Sequence, residues 1–434
     1  MLFGAYLVET SLWVLATVVI TVWATRGYLN AIFTLRLGKL KKKSGPVKGA
    51  AKRGTDPPFV TVLLPTYNER AVVDRLLGAV TAIDYPKYEI IVADDSTDEA
   101  TLRRLRAWEK RGKVRVVHRS ERAGFKAGAL NNALDFSRKG SKYALFFDAD
   151  YVPPSDIIWK MLEDFRDKTT DAVQCYAEPS LNSSKNVLTK SVRVSTSYYS
   201  LVDVAARQRL KGFIPIFGSA FMVRKDALER VGRFDESSIT EDWELASRLA
   251  EEGYNVVFDE GISIPAECPT TLRSVIRQQM RWAEGITRDT KNHIRRMLKS
   301  EKATPMKKFD YAFYGFSQFN SIFGLVAYGI SSVAFLISTG MLTIPGVDKG
   351  LVLGLGPLGQ YALFVAPLYL PLAFILGASM GLRREGRVSD IPWCFTALAI
   401  NLLLVPFVAF ASVKGLLSKK GSWSRTPKTG EVLP

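Results

Sequence analysis

Apolar residues fall along this chain in three regimes: one long run at the amino end, short runs in the middle, and long runs again beyond residue 305. From residue 2 to residue 25 the only charge is Glu9. About 20 apolar residues carry a helix across a hydrocarbon core, so this segment reads as a transmembrane span. It exceeds a secretory apolar core, lacks a basic stretch ahead of it and is followed by no small-residue cleavage site, which points to a retained helix. Between residues 56 and 304 the pattern changes. Short apolar runs at residues 59–64, 89–93, 114–117 and 143–147 alternate with amphipathic stretches, and that alternation predicts buried parallel strands joined by helices. Further on, residues 313–341, 351–382 and 391–417 predict membrane-associated helices. The expected organisation is an N-terminal transmembrane helix (1–35), a basic linker (36–55), an α/β domain (56–304), transmembrane and interfacial helices (305–417) and a basic tail (418–434).

Charge orients this plan. Lys and Arg number 59 against 42 Asp and Glu, a net charge of +17. The excess lies beside apolar stretches rather than among aromatics along one face, so no nucleic-acid partner is expected. Arg26, Arg36, Lys39, Lys41, Lys42, Lys43, Lys48, Lys52 and Arg53 follow the first span. Such a flank marks the cytoplasmic side, and a solvated run of this kind also touches anionic lipid headgroups. The α/β domain is therefore expected on the cytoplasmic face of a cell membrane. If residues 391–417 crossed fully, Lys414, Lys419 and Lys420 would lie outside, against the same tendency; Pro406 and flanking charge instead suggest a segment that lies in the interface or re-enters. Three cysteines, Cys175, Cys268 and Cys394, show no CxxC pairing, which excludes a cysteine zinc site and a disulfide framework. With only His118 and His293, a metal has to sit on carboxylates.

In parallel α/β sheets ligands bind beyond the carboxyl ends of the strands, where residues 66–69, 94–98 and 148–150 fall. Asp148-Ala149-Asp150 can face a divalent cation bridging phosphate oxygens. Asp94 to Asp98 close another strand in the same way, and acids at neighbouring strand ends repel unless something cationic or hydrogen-bonding lies between them, which favours a nucleotide–metal complex. Lys126, set among Gly124, Ala127 and Gly128, can bring its ammonium to a phosphate, although neither a P-loop nor a dinucleotide fingerprint is present. Thr240-Glu241-Asp242 precedes a helical pattern, and here the plain alternative is a helix capped by Thr240 with acids in its first turn. Gln278, Arg281 and Trp282 combine an amide, a guanidinium and an indole, a set suited to a diphosphate and a sugar ring.

Taken in order, DDSTD, FKAGALN, FDADY, TED and QQMRW resemble the family 2 inverting glycosyltransferases, in particular their membrane-embedded cellulose-synthase-like branch. The resemblance runs from residue 59 to about 288, and residues 265–269 leading into 278–285 look most like the mannan or glucomannan synthases. It implies a GT-A fold, a Rossmann-like parallel sheet. By the same resemblance Thr66, Tyr67, Glu69 and Asp95 hold the nucleoside, Lys126 approaches the diphosphate, and Asp148 and Asp150 complete the donor site. Asp150 there binds Mg²⁺ or Mn²⁺. Phe217-Gly218-Ser219 matches the family's acceptor turn, Asp242 is the general base beside Glu241, and Gln278, Arg281 and Trp282 line the diphosphate and acceptor. Trp423, Thr426 and Lys428 resemble the gating loop of cellulose synthases, with Trp in place of Phe and Arg425 in place of Val. That likeness makes the tail cytoplasmic and residues 391–417 an interfacial segment.

The residue types suit an acceptor hydroxyl that is deprotonated as it attacks an anomeric carbon while cations stabilise the departing nucleoside diphosphate. The expected activity is metal-dependent transfer of a hexose from GDP-mannose or a UDP-hexose to a growing β-linked polysaccharide. The alternatives are single-sugar transfer to a lipid acceptor, such as a glycolipid or polyprenyl phosphate, and a non-catalytic scaffold on the same fold. Cellulose synthases carry further membrane helices after their gating loop; on that comparison a homo-oligomer could complete a polysaccharide channel that three or four helices are too few to enclose.

Overall fold

A computed structural model describes residues 2–43, 56–343, 365–418, 421 and 428–433. Residues 44–55 of the linker, the expected span residues 351–364, and Trp423 and Thr426 lie outside the described residues.

Seven strands form one sheet: β1 (Val60–Thr66), β2 (Tyr88–Asp94), β3 (Arg115–His118), β4 (Tyr143–Phe146), β5 (Ala172–Glu178), β6 (Phe221–Arg224) and β7 (Val256–Pro265), in the order β3-β2-β1-β4-β6-β5-β7. The first four are parallel and lie where the apolar runs place them. The expected parallel sheet is corrected beyond β4: β6 runs antiparallel to both β4 and β5, which makes the sheet mixed. Both faces are covered, as the continuous apolar strands require. Leu63, Ile91 and Phe146 pack on one face, while Val62, Leu64, Val92 and Leu145 pack on the other.

The domain's helices are α2 (Val73–Thr81), α3 (Glu99–Glu109), α4 (Phe125–Asp135), α5 (Ile157–Asp164), α6 (Val187–Tyr198), α7 (Ala205–Arg209), α8 (Lys225–Arg230), α9 (Glu241–Glu251) and α10 (Leu272–Lys299). A π-helical turn, Tyr199–Val204, joins α6 to α7. Outside the domain are α1 (Leu2–Leu35), α11 (Pro305–Gly315), α12 (Asn320–Ser338), α13 (Ala366–Glu385) and α14 (Trp393–Leu417). Among the described residues, three helical stretches are long and apolar enough to cross a membrane: Trp13–Leu35, Pro305–Ser338 and Trp393–Leu417.

Polar contacts bind the apolar helices to the domain. Arg26 of α1 pairs with the fully buried Asp310 of α11 at 2.5 Å. Asn30 donates to Asp203 at 2.9 Å, and Asp203 also holds the buried Arg207 at 2.8 Å. At the end of α13, Glu385 takes Arg193 and Ser197 of α6, and Arg384 pairs with Glu260. The basic run after α1 is only partly solvated: Lys43 pairs with Asp164 and Asp259, and Lys42 with Glu178.

α14 touches the domain at both its ends. Cys394 and Ala397 pack on Val194 of α6, while Leu404, Val408 and Ala411 pack on Val275 and Ala283 of α10. Thr396 bonds Ser191, Asn401 donates to Ser195, and Lys414 pairs with Glu284. The other side exposes Phe395, Leu402, Leu403, Phe407, Phe410 and Val413, a stripe at helical spacing.

Candidate active site

The ends of β2 and β4 deliver Asp94, Asp95, Asp148 and Asp150, and each meets a hydrogen-bonding or cationic side chain of the chain itself. Asp94 accepts from Thr66 at 2.8 Å and contacts His118 at 2.7 Å. Asp95 is gripped by both nitrogen arms of Arg119, each at 2.8 Å. Asp148 pairs with Lys126 at 2.8 Å, and Asp150 with Lys428 at 2.7 Å. Within the protein, then, hydrogen bonds and cations already face these carboxylates. Tyr67 lies beside the same group, with the Arg122 guanidinium 3.6 Å from its ring centre, and Glu69 is buried one turn on.

Lys126 sits in the first turn of α4, an unfavourable place for a cation unless acids compensate. Besides Asp148 it meets Glu241 at 3.3 Å, and it donates to the Gly218 carbonyl at 2.8 Å. Burial alone would lower this ammonium, but Asp148 and Glu241 more than offset that and hold it above its ordinary value. Gly218 has φ +79°, the left-handed region that glycine enters without a Cβ penalty. A Cβ there would lie 2.8 Å from Asp242 Oδ2 and 3.3 Å from Lys126 Nζ, so the turn passes directly against both. Ser219 accepts from the Asp148 amide at 2.8 Å, which ties the turn to β4.

Asp242 stands at the start of α9 and accepts from the Trp243 amide at 2.9 Å. Burial pushes this carboxyl up to about 7, Glu241 adds to the rise, and Lys126, the Trp243 amide and Arg281 oppose it. Thr240 holds the N-cap position that the sequence suggests, but its side chain does not bond the helix amides; its hydroxyl donates to Asp289 at 2.7 Å. The capping reading is thus corrected: a buried carboxylate has taken the side chain that would have bonded the helix amides.

On α10, Arg281 donates to the Ile239 carbonyl at 3.2 Å, close behind Asp242. Gln278 is half-buried and Trp282 is 37% exposed, and among the described residues neither hydrogen-bonds the acidic cluster. Phe217 lies 5.7 Å from Tyr199 and 6.1 Å from Phe258, ring to ring, and its amide donates to Gln174 at 2.9 Å.

Sequence reasoning missed four supports. Arg119 holds Asp95, and the fully buried Gln174 holds the Phe217–Ser219 turn at both ends. Asp289 holds Thr240, and Glu267 receives the tail through the Thr429 and Gly430 amides at 3.0 and 3.1 Å, with Arg75 at 2.5 Å on its other side. Only Glu267 carried a signal, its place in the Pro265–Pro269 motif.

A metal fits the DAD pair in one respect. Asp150 Oδ1 is buried without a hydrogen-bond partner, the orphaned acceptor that a cation would satisfy. Among the described residues no three His, Cys, Asp or Glu side chains gather to cage a metal, so two carboxylates would be completed by diphosphate oxygens, the usual manner of Mg²⁺.

Residues 57–285 match the family described as Glycosyltransferase like family 2. The chain is 29% identical over 384 residues to probable glucomannan 4-beta-mannosyltransferase 6 of Oryza sativa subsp. japonica, covering 86% of this chain and 63% of that protein. To glucomannan 4-beta-mannosyltransferase 7 of Arabidopsis thaliana it is 27% identical over 386 residues, covering 87% and 66%. It thus spans just under two thirds of these relatives' length. Among solved structures it is similar to the mannosyltransferase PcManGT from Pyrobaculum calidifontis in complex with GDP-Man and Mn²⁺, with TM-score 0.56 and 21% identity, over 90% of this chain and 99% of that one. That likeness bears on the fold, which it identifies as GT-A-like.

Proposed function

The chain belongs to glycosyltransferase like family 2, and on that footing we propose that it transfers a mannosyl group from GDP-mannose to a growing β-linked polysaccharide at a membrane surface, with inversion at the anomeric carbon. The observation that carries this reading is the convergence of Lys126, Asp148, Glu241 and Asp242 on the Gly218 turn. The mannosyl donor and the polymer acceptor rest on the names of the glucomannan mannosyltransferase relatives.

Asp242 takes the proton from the attacking acceptor hydroxyl. A carboxyl held near 7 is matched to that task at neutral pH. Lys126 and Arg281 both act electrostatically on Asp242, and in this reading they stabilise the charge that develops on the departing diphosphate. Asp148 and Asp150 would hold Mg²⁺ or Mn²⁺, which neutralises diphosphate charge when bound. The Phe217–Ser219 turn, fixed by Gln174, sets the acceptor hydroxyl against Asp242. The arrangement calls for no covalent sugar intermediate, so an α-linked donor yields a β-linked product.

The domain lies on the cytoplasmic face in this reading, with α14 in the interface rather than across the membrane. A crossing helix leaves the domain after one end, whereas α14 touches α6 and α10 from Cys394 to Lys414 and turns an apolar stripe outward.

The test is release of nucleoside diphosphate by the purified protein from a panel of nucleotide sugars with Mg²⁺ or Mn²⁺, followed by sizing of labelled product. Polymer from GDP-mannose is the expected result. A polymer from a UDP-hexose alone, or a single-sugar lipid product, would overturn the donor or the acceptor respectively.

A further inference from the structure

The helix that carries Gln278, Arg281 and Trp282 also grips the backbone just ahead of Asp242. Arg281, Gly285, Asp289 and His293 recur every four residues along α10, so they share one face. Arg281 donates to the Ile239 carbonyl. Gly285 lets the helix close on Thr240, since a Cβ there would stand 2.4 Å from the Thr240 hydroxyl oxygen. Asp289 Oδ2 accepts from Ser238 and from Thr240, each at 2.7 Å, and is 3% exposed. His293 reaches α9 itself, at 3.1 Å from Glu244 and 2.7 Å from Glu251. Three of these four contacts fall on residues 238–240, two to four positions before Asp242.

Thr240 stands at the N-cap position of α9, with φ −131° and ψ 61°, and its side chain makes no capping hydrogen bond. Its side chain is committed to Asp289, so the direction in which the chain enters α9 is set by α10. That entry angle decides where the Asp242 carboxylate points: one oxygen toward the Trp243 amide, the other toward Gly218. Buried hydroxyl-to-carboxylate bonds are short and directional, which lets them fix such an angle.

We propose that Asp289 is a positioning residue for the transfer reaction: through Thr240 it aims the Asp242 carboxylate at the acceptor turn and couples the acceptor-side helix to the base. The proposal rests on the reading of Asp242 as the base. A displacement of about 1 Å at a reacting group costs on the order of 10²-fold in rate, so loss of this bond is expected to lower kcat far more than it changes donor binding.

The experiment compares Asp242→Asn, Asp289→Ala, Asp289→Asn, Thr240→Val and the double variant Asp289→Ala/Thr240→Val in the full chain. Measured per folded molecule, Asp289→Ala and Thr240→Val should each lower kcat by about 10- to 100-fold with KM for the donor within about twofold. The double variant should be no worse than either single one, and Asp289→Asn, which keeps an acceptor oxygen, should recover most of the rate. Hydrogen exchange at the amides of residues 241–243 should rise in Asp289→Ala while the rest of α9 keeps its protection. Unchanged exchange there, additive losses in the double variant, or a donor KM that rises with kcat intact would overturn the proposal. Full activity in Asp242→Asn would instead overturn the reading of the base and leave the exchange measurement to decide the positioning role.

Discussion

The Lys428 ammonium lies 2.7 Å from Asp150 Oδ2, on the same carboxylate whose orphaned Oδ1 a divalent cation on the DAD pair would take. Asp150 is raised by burial, against the pull of Lys428, and Lys428 is in turn raised because Asp150 and its neighbours offset burial. A divalent cation on Oδ1 would be repelled by this ammonium across a single carboxylate. Removing the ammonium by Lys428→Ala should therefore strengthen Mn²⁺ binding to the donor-free protein by about tenfold, a change of about 1.4 kcal/mol. Titration of Mn²⁺ followed by electron paramagnetic resonance measures this directly, and an unchanged affinity would show that the tail and the metal do not compete.

Asp242 must be ionised to accept a proton, and it is held at about 7. The rate of transfer is expected to climb as pH rises from 6 to 8 and to fall away below, where the carboxyl is protonated. Asp242→Asn should lose about 10²- to 10⁴-fold in kcat while still binding donor. Calorimetric titration with donor beside a pH–rate profile separates the two, and an equal loss of binding would remove Asp242 from the base role.

Gly218→Ala places a methyl group in a left-handed turn and against Asp242 Oδ2. The backbone strain costs about 1–2 kcal/mol. The flexible carboxylate can move aside cheaply, so the stability loss should stay near that figure while the rate falls by about 10²-fold. A thermal melt beside kcat checks the division; a variant that melts lower yet turns over normally would contradict it.

His293 makes a prediction about stability rather than rate. Burial alone would lower its pKa, but Glu244 and Glu251 raise it to about 9, against 6.5 for a free imidazole. A raised folded-state value means that the imidazolium stabilises the fold fully below pH 6.5 and loses that contribution as pH rises through 9. The melting temperature of the wild type should thus decline between pH 6.5 and 9.5 relative to His293→Gln. Parallel curves would show that the histidine carries no linked proton.

How much of this was legible in the sequence depends on how local the cause is. The strand runs ending at Thr66, Asp94 and Phe146 followed from continuous apolar residues, and the acids after them from the place where parallel strands end. β6 escaped notice because Phe221–Arg224 is only four residues long and its neighbours in the sheet are 45 or more positions away in sequence. The cap predicted at Thr240 failed because a carboxylate 49 positions onward was the better partner. Arg119, Gln174 and Asp289 are single polar residues whose roles exist only through such distant contacts, and no spacing rule marks them. The gating-loop likeness found a place for Lys428, whereas the Glu267 dock that holds the following residues had no pattern of its own beyond its position after a proline.

The pairing of Arg26 with Asp310, and of Asn30 with Asp203, makes the first helix part of how the enzyme matures. Asp310 is fully buried, and Arg26 pairs with it directly, with the Arg207 guanidinium also acting on it. Breaking such a buried pair costs about 3–5 kcal/mol, a large share of the stability of an ordinary domain. A truncated version that begins at the sheet is consequently a damaged fragment rather than a soluble module. If the first helix spans a membrane as proposed, a copy whose helix has failed to insert would stay unfinished and exposed to proteolysis, so catalytic competence would follow membrane integration in time.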